Sequence, residues 1–188
     1  MKRKTVHLIA NAHIDPVWLW HWEEGFGEVI HTCAYMVELL NKKRELTFNR
    51  GNANSFLWIE EAEPYIFKEI KKLVKRKKWF ICNPWWEEAD CNIPCGESFI
   101  RHLIYGKKYF KKKFNIDVNV VCNPDSFGHN GNLPQILKKA GIKFYVFFRP
   151  TPEEKDLPQI FWWEGIDGSI ILACRPPFFY ATWDESEV

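Results

Sequence analysis

The sequence has no long hydrophobic run: nowhere do enough consecutive apolar residues occur to span a bilayer. It opens on Met1-Lys2-Arg3-Lys4 and passes directly into Val6-His7-Leu8-Ile9-Ala10, with no apolar segment of the kind that marks a secretory leader. It carries no dominant charge either. A net charge of +2 supplies no dedicated surface for nucleic acid or for an anionic membrane. Two basic runs, Lys71 to Lys78 and Lys107 to Lys113, each close a helical pattern, where cations complement the helix dipole. Paired C-x-x-C ligands are absent, so the six Cys do not make a structural zinc motif and read as free thiols of a reducing compartment. These features predict a cytoplasmic protein. No Pro/Ser-rich linker and no short repeat divides the 188 residues, a length that suits one domain.

What the chain has in excess is aromatic side chains, 16% of residues with 10 Trp. Most of these rings belong to a core, but Trp and Tyr combine an apolar face with a polar edge, which also suits sugars. Strand-like and helical stretches alternate. Thr5 to Ala10, Leu46 to Asn49, Trp79 to Cys82, Val118 to Val121 and Phe144 to Phe148 read as strands. Helices are predicted after Gly25 (apolar face Val29, Cys33, Met36, Val37, Leu40), after Asn54, from Pro64 (Ile66, Phe67, Ile70, Leu73, Val74) and from Glu97 for about four turns. A further helix spans Leu133 to Gly141, with Asn132 as N-cap, Pro134 in the first turn and Gly141 at C′. Such alternation predicts parallel strands with right-handed crossovers. After Arg149 the pattern changes to a β-hairpin, Phe161 to Glu164 and Ser169 to Cys174 around Gly165-Ile166-Asp167-Gly168.

Two strand ends carry the chemistry. His13-Ile14-Asp15-Pro16 follows the first strand, and Cys122-Asn123-Pro124-Asp125-Ser126-Phe127-Gly128-His129 follows Val118 to Val121. Ligands in α/β folds bind beyond the carboxyl ends of strands. Alternate residues of an extended segment share a side, so His13 and Asp15 present an imidazole and a carboxylate together, a donor pair suited to zinc. Each motif alone is equally a hydrogen-bonded loop or turn. The long loop from Asn83 to Gly96 is a third candidate for function.

These stretches resemble glycoside hydrolase family 38, the α-mannosidases. The likeness rests on His13-Ile14-Asp15-Pro16-Val17-Trp18-Leu19-Trp20, on Pro124-Asp125-Ser126-Phe127-Gly128-His129 and on Gly131-Asn132-Leu133-Pro134-Gln135-Ile136-Leu137. Between them, Trp86-Glu87-Glu88-Ala89-Asp90-Cys91-Asn92-Ile93-Pro94-Cys95-Gly96-Glu97-Ser98 is similar to the family's Trp-Val-Glu-Pro-Asp-x-Asn-x-Pro-Ser-Gly-Glu segment. The resemblance implies an incomplete (β/α) barrel of parallel strands with helices outside, ending in a β-hairpin excursion. It implies a zinc-dependent retaining α-mannosidase in which His13, Asp15 and Asp125 bind one Zn²⁺ and Asp125 is also the nucleophile. Trp18, Phe127 and Arg149 would then contact an α-mannoside oligosaccharide, and Asp90 and His129 would support them from behind. It departs from the family at Ile81-Cys82-Asn83-Pro84-Trp85, where paired glycines are usual. The family's acid/base Asp and fourth zinc ligand His would lie beyond position 188, with its helical-bundle and β-sandwich domains, so the chain is expected to be the amino-terminal portion of the catalytic domain, inactive alone. Two other readings stand beside this one: a non-catalytic sugar-binding remnant and a metal-dependent polysaccharide deacetylase, the latter without the H-x-x-x-H pair it would need. Linkage preference and oligomeric state stay open.

Overall fold

In the computed structural model, residues 9–177 and residue 180 are described. The chain is α/β and divides into two compact units, Met1–Arg50 with Ser55–Ile81, and Gly51–Asn54 with Cys82–Val188.

The first unit holds a three-stranded parallel sheet, β1 (Ala10–Asn11), β2 (Phe48–Asn49) and β3 (Trp79–Phe80), in the order β1-β2-β3. Of the strand expected over Thr5 to Ala10, residues 5–8 lie outside the described residues. Phe48 pairs with both Ala10 and Trp79, so β2 stands between β1 and β3. Between β1 and β2 runs α1 (Trp22–Lys42), which buries Val29, Cys33, Met36, Val37 and Leu40, the stripe expected from spacing. It starts at Trp22, ahead of the expected position, and its first turn holds Gly25 so close to the backbone of Pro16 that a Cβ there would meet the Pro16 carbonyl oxygen. Helix α2 (Ala53–Ala62) follows β2, and its first two residues cluster with the second unit. Helix α3 (Pro64–Lys75) opens on its proline and buries Phe67, Ile70 and Leu73, while Ile66 and Val74 are half-buried. Fully buried Trp79 meets Phe48 edge-on at 4.8 Å; burying each such ring is worth about 1.5–3 kcal/mol.

The second unit is a four-stranded sheet in the order β4-β5-β7-β6. Its elements are α4 (Gly96–Phe114), β4 (Val120–Asn123), α5 (Leu133–Lys139), β5 (Phe144–Phe147), β6 (Ile160–Glu164) and β7 (Ile170–Cys174). Helix α4 has 19 residues, about five turns rather than four, and ends on Asn115 in the left-handed conformation. Asn132 sits at the N-cap of α5 without a capping side-chain bond, whereas Pro134 and Gly141 (φ +76°) stand where the sequence placed them. β4 and β5 pair in parallel, and β6 and β7 form the expected hairpin around Gly168 (φ +79°). That hairpin is no excursion: β7 returns alongside β5, in parallel, and joins the sheet. The core lies on the face carrying Val121, Tyr145, Phe147, Ile171 and Ala173, against Leu133 and Leu137 of α5 and Leu103 of α4. Among the described residues each ladder joins strands within one unit, and none closes a barrel. Among the described residues no helix is long and apolar enough to cross a membrane. None of the six Cys forms a disulfide.

Candidate active site

The register of β4 and β5 aligns two loop residues. Asn123 pairs with Phe147 at the carboxyl ends of these strands, so Asp125 and Arg149, each two residues further, emerge side by side. Arg149 Nε donates to Asp125 Oδ1 at 2.6 Å, and both side chains are about one quarter exposed, 26% and 23%. The bond to the carboxylate holds the guanidinium proton more tightly than usual. Below it the guanidinium lies 4.6 Å from the centre of the Phe127 ring, within cation–π range. Asp125 is held from two more sides. Its backbone N–H donates to Glu88 Oε1 at 3.2 Å, and the Tyr180 hydroxyl hydrogen-bonds both Asp125 and Arg149. Burial, first, and the Asp125 charge push the Tyr180 phenol up.

Beneath this cluster the turn is tied to the core. Buried Asn123 accepts the Trp85 indole N–H at 2.8 Å and donates to Ser126 Oγ at 3.4 Å. His129 Nε2 faces the Arg149 carbonyl at 2.7 Å, and its Nδ1 faces the Tyr145 hydroxyl at 2.7 Å. A carbonyl only accepts, so Nε2 carries the proton and Nδ1 accepts from Tyr145. Burial pushes the His129 pKa down and the Tyr145 pKa well up. His129 therefore grips the backbone of Arg149 as a neutral imidazole. Asp90 does its work within its own loop: Oδ1 accepts the N–H groups of Asn92 and Ile93, at 2.8 and 3.1 Å. Asn92 in turn donates to the Phe127 carbonyl at 3.5 Å. Glu87 accepts from Asn52 at 2.6 Å and Asn54 at 3.4 Å. Where paired glycines are usual, Asn83 is buried and donates to Asn52 Oδ1 and to the Cys122 carbonyl, at 2.9 and 2.7 Å.

In the first unit His13 Nε2 and Asp15 Oδ1 are 3.1 Å apart. Two ligands of one tetrahedral zinc, each at about 2.1 Å, stand about 3.4 Å apart, so this pair fits two legs of such a site. Trp20 fixes the segment by donating to the Asp15 carbonyl at 3.2 Å, and Trp18 packs edge-on against Trp20 at 5.3 Å while 64% exposed. Buried Arg50 donates to the Ala12 carbonyl at 2.8 Å. No group of three or more His, Cys, Asp or Glu side chains among the described residues is placed to hold a metal ion. The structure thus joins His13 to Asp15, and Asp125 to Arg149 and Phe127, each set within its own unit.

The glycosyl hydrolases family 38 N-terminal domain model matches residues 3–187. The chain belongs to glycosyl hydrolase family 38. Among its relatives, Alpha-mannosidase G of Dictyostelium discoideum is 30% identical over 92% of this chain and 16% of its own length. An Alpha-mannosidase of Saccharomyces cerevisiae is 31% identical, with the same shares covered. A crystal structure of an alpha-mannosidase from Enterococcus faecalis V583 shares the fold, at a TM-score of 0.82 and 23% identity over 92% of this chain and 20% of that one. The family 38 chain thus spans about one sixth of the length of these curated relatives. Glu88, Tyr180 and Arg50 were missed in the sequence. Tyr180 carried a usable signal, since it follows the carboxyl end of β7 as Asp125 follows that of β4.

Proposed function

We propose that this chain carries the nucleophile and part of the metal site of a zinc-dependent retaining α-mannosidase, acting on α-mannoside oligosaccharides from an incomplete (β/α) barrel. Family membership supports the reaction class, and the observation that carries the role of Asp125 is its threefold support by Arg149, Tyr180 and Glu88. A nucleophilic carboxylate must hold one oxygen on the anomeric carbon while the glycosidic bond breaks. Arg149 and Tyr180 aim the carboxyl group, Glu88 pins its backbone, and His129 keeps Arg149 in place. Asp125 forms an ester with the sugar, the aglycone oxygen leaves with a proton from a second carboxylic acid, and water then cleaves the ester. Glu87 is engaged by Asn52 and Asn54 and Asp90 by its own loop, so the proposed acid is a residue outside this set.

His13 and Asp15, with Asp125, are the proposed holders of Zn²⁺; when bound, the ion would supply Lewis-acid charge for sugar hydroxyls. Trp18 and Phe127, both largely exposed, offer the apolar faces on which a mannose ring rests. Six thiols outside any disulfide favour a reducing, cytoplasmic setting. Turnover of an aryl α-mannoside tests the reading. With an activated aryl leaving group that needs little protonation, the slow turnover of the chain should be abolished in Asp125→Asn with the fold intact, and turnover unchanged by the substitution would refute it.

A further inference from the structure

The two arms of the candidate site meet again below it, at two buried side chains that the proposed reaction leaves unused. One arm is the turn that carries Asp125: Asn123 Nδ2 donates to Cys91 Sγ at 2.7 Å, and Ser126 Oγ stands 3.4 Å from the same sulfur. The other arm is the carboxyl end of β5, where His129 bonds both the Arg149 carbonyl and the Tyr145 hydroxyl. Cys91 Sγ and Tyr145 Oη are 3.6 Å apart, and both residues are fully buried. With the Arg149–Asp125 ion pair on top, these contacts close a ring around the base of the site.

Within that ring the proton directions are set from one end. The Arg149 carbonyl only accepts, so the one proton of Tyr145 goes to His129 Nδ1, and towards Cys91 the phenol oxygen accepts. The imidazole otherwise lies among aromatic rings, Tyr145 at 5.5 Å, Phe147 at 4.8 Å and Trp163 at 6.2 Å. Rings give it little direction, and rotation about its Cβ–Cγ bond is soft. One hydrogen bond would leave it free to swing, whereas bonds at both Nδ1 and Nε2 fix its plane. The hydroxyl is also more than packing requires: Phe147, two residues on and equally buried, fills the same face of β5 without one. We infer that Tyr145 is a positioning residue for the nucleophile: its hydroxyl orients His129, His129 holds the Arg149 backbone, and Arg149 aims Asp125. The inference rests on the glycosidase reading of Asp125. Tyr145 suits the task because it stands mid-sheet, paired with Val121 on one side and Ala173 on the other, and sites anchored on strands are held more firmly than sites on loops.

The test compares Tyr145→Phe, which removes one oxygen and keeps the ring, with Trp163→Phe as a packing control, since Trp163 packs on both His129 and Tyr145. Two proton resonances are followed by NMR without substrate: His129 Nε2–H, assigned by its loss in His129→Gln, and Arg149 Nε–H, assigned by its loss in Arg149→Lys. In Tyr145→Phe the His129 proton should exchange with water at least about tenfold faster than in the parent, and the Arg149 signal should shift or broaden. In Trp163→Phe both should behave as in the parent. On the aryl α-mannoside, Tyr145→Phe should lower kcat by about tenfold to 10²-fold and leave KM unchanged, because a buried phenol touches no sugar. Resonances that stay in place in Tyr145→Phe, or that respond as strongly in Trp163→Phe, overturn the inference. The two readings fail separately. Turnover abolished in Asp125→Asn with both resonances unmoved in Tyr145→Phe sinks the role of Tyr145 alone; responsive resonances with turnover unaffected by Asp125→Asn sink the glycosidase mechanism alone.

Discussion

His129 Nε2 donates to the Arg149 carbonyl and its Nδ1 faces the Tyr145 hydroxyl, in a buried setting that favours the neutral imidazole. Burial lowers its pKa from the usual value of about 6.5. A group with a depressed pKa binds its proton more readily when unfolded, so its contribution is present above the unfolded value and is lost as pH falls below it. Denaturation midpoints at pH 7 and pH 5 check this. The parent should lose more stability over that interval than His129→Gln, which keeps a donor and an acceptor but cannot titrate; equal losses would contradict the neutral role. At the other strand end, His13→Ala should lower retained zinc at least about tenfold by metal analysis, since losing a ligand costs no less than losing its outer partner. Zinc content equal to the parent's would remove His13 from the metal set. Both motifs were readable as residues in the sequence. Their partners were not: Arg149 meets Asp125 only through the alignment of Asn123 with Phe147, a long-range fact that no local pattern carries.

At the scale of elements, two helical glycines separate sterics from propensity. Gly27 in α1 faces open space, with nothing within 4 Å of the position a Cβ would take, whereas a Cβ on Gly106 in α4 would stand 1.8 Å from the Pro84 carbonyl oxygen. Replacing a helical Gly with Ala gains up to about 1 kcal/mol from propensity, while overpacking costs about 1–3 kcal/mol. Gly27→Ala should therefore raise the urea midpoint and Gly106→Ala should lower it; a rise for both would show that α4 does not pack closely on Pro84. The apolar stripes of α1 and α3 were plain because burial follows the helical period. The strands were harder. β1, β2 and β3 have two residues each, too few for an alternation to show, and their order depends on partners far along the chain. The hairpin was legible from its turn, but the pairing of β7 with β5 was not, because nothing local in Ile170–Cys174 names a neighbour.

For the whole molecule, the central claim is that one carboxylate, Asp125, takes the sugar covalently. Composition gave the expectation of no membrane or nucleic-acid surface and the aromatic excess that of a sugar ligand, yet neither could say which carboxylate reacts. Asp90 accepts two N–H groups of its own loop, Glu87 accepts from Asn52 and Asn54, Glu88 accepts the Asp125 N–H, and Asp125 is the carboxylate paired with the Arg149 guanidinium. The direct measurement is covalent trapping with a fluorinated mannosyl fluoride, whose leaving group needs little acid assistance, followed by peptide mass spectrometry. The account predicts one added sugar on the peptide containing Asp125, absent in Asp125→Asn. A label on Glu87, Glu88 or Asp90, or one that persists in Asp125→Asn, would contradict it.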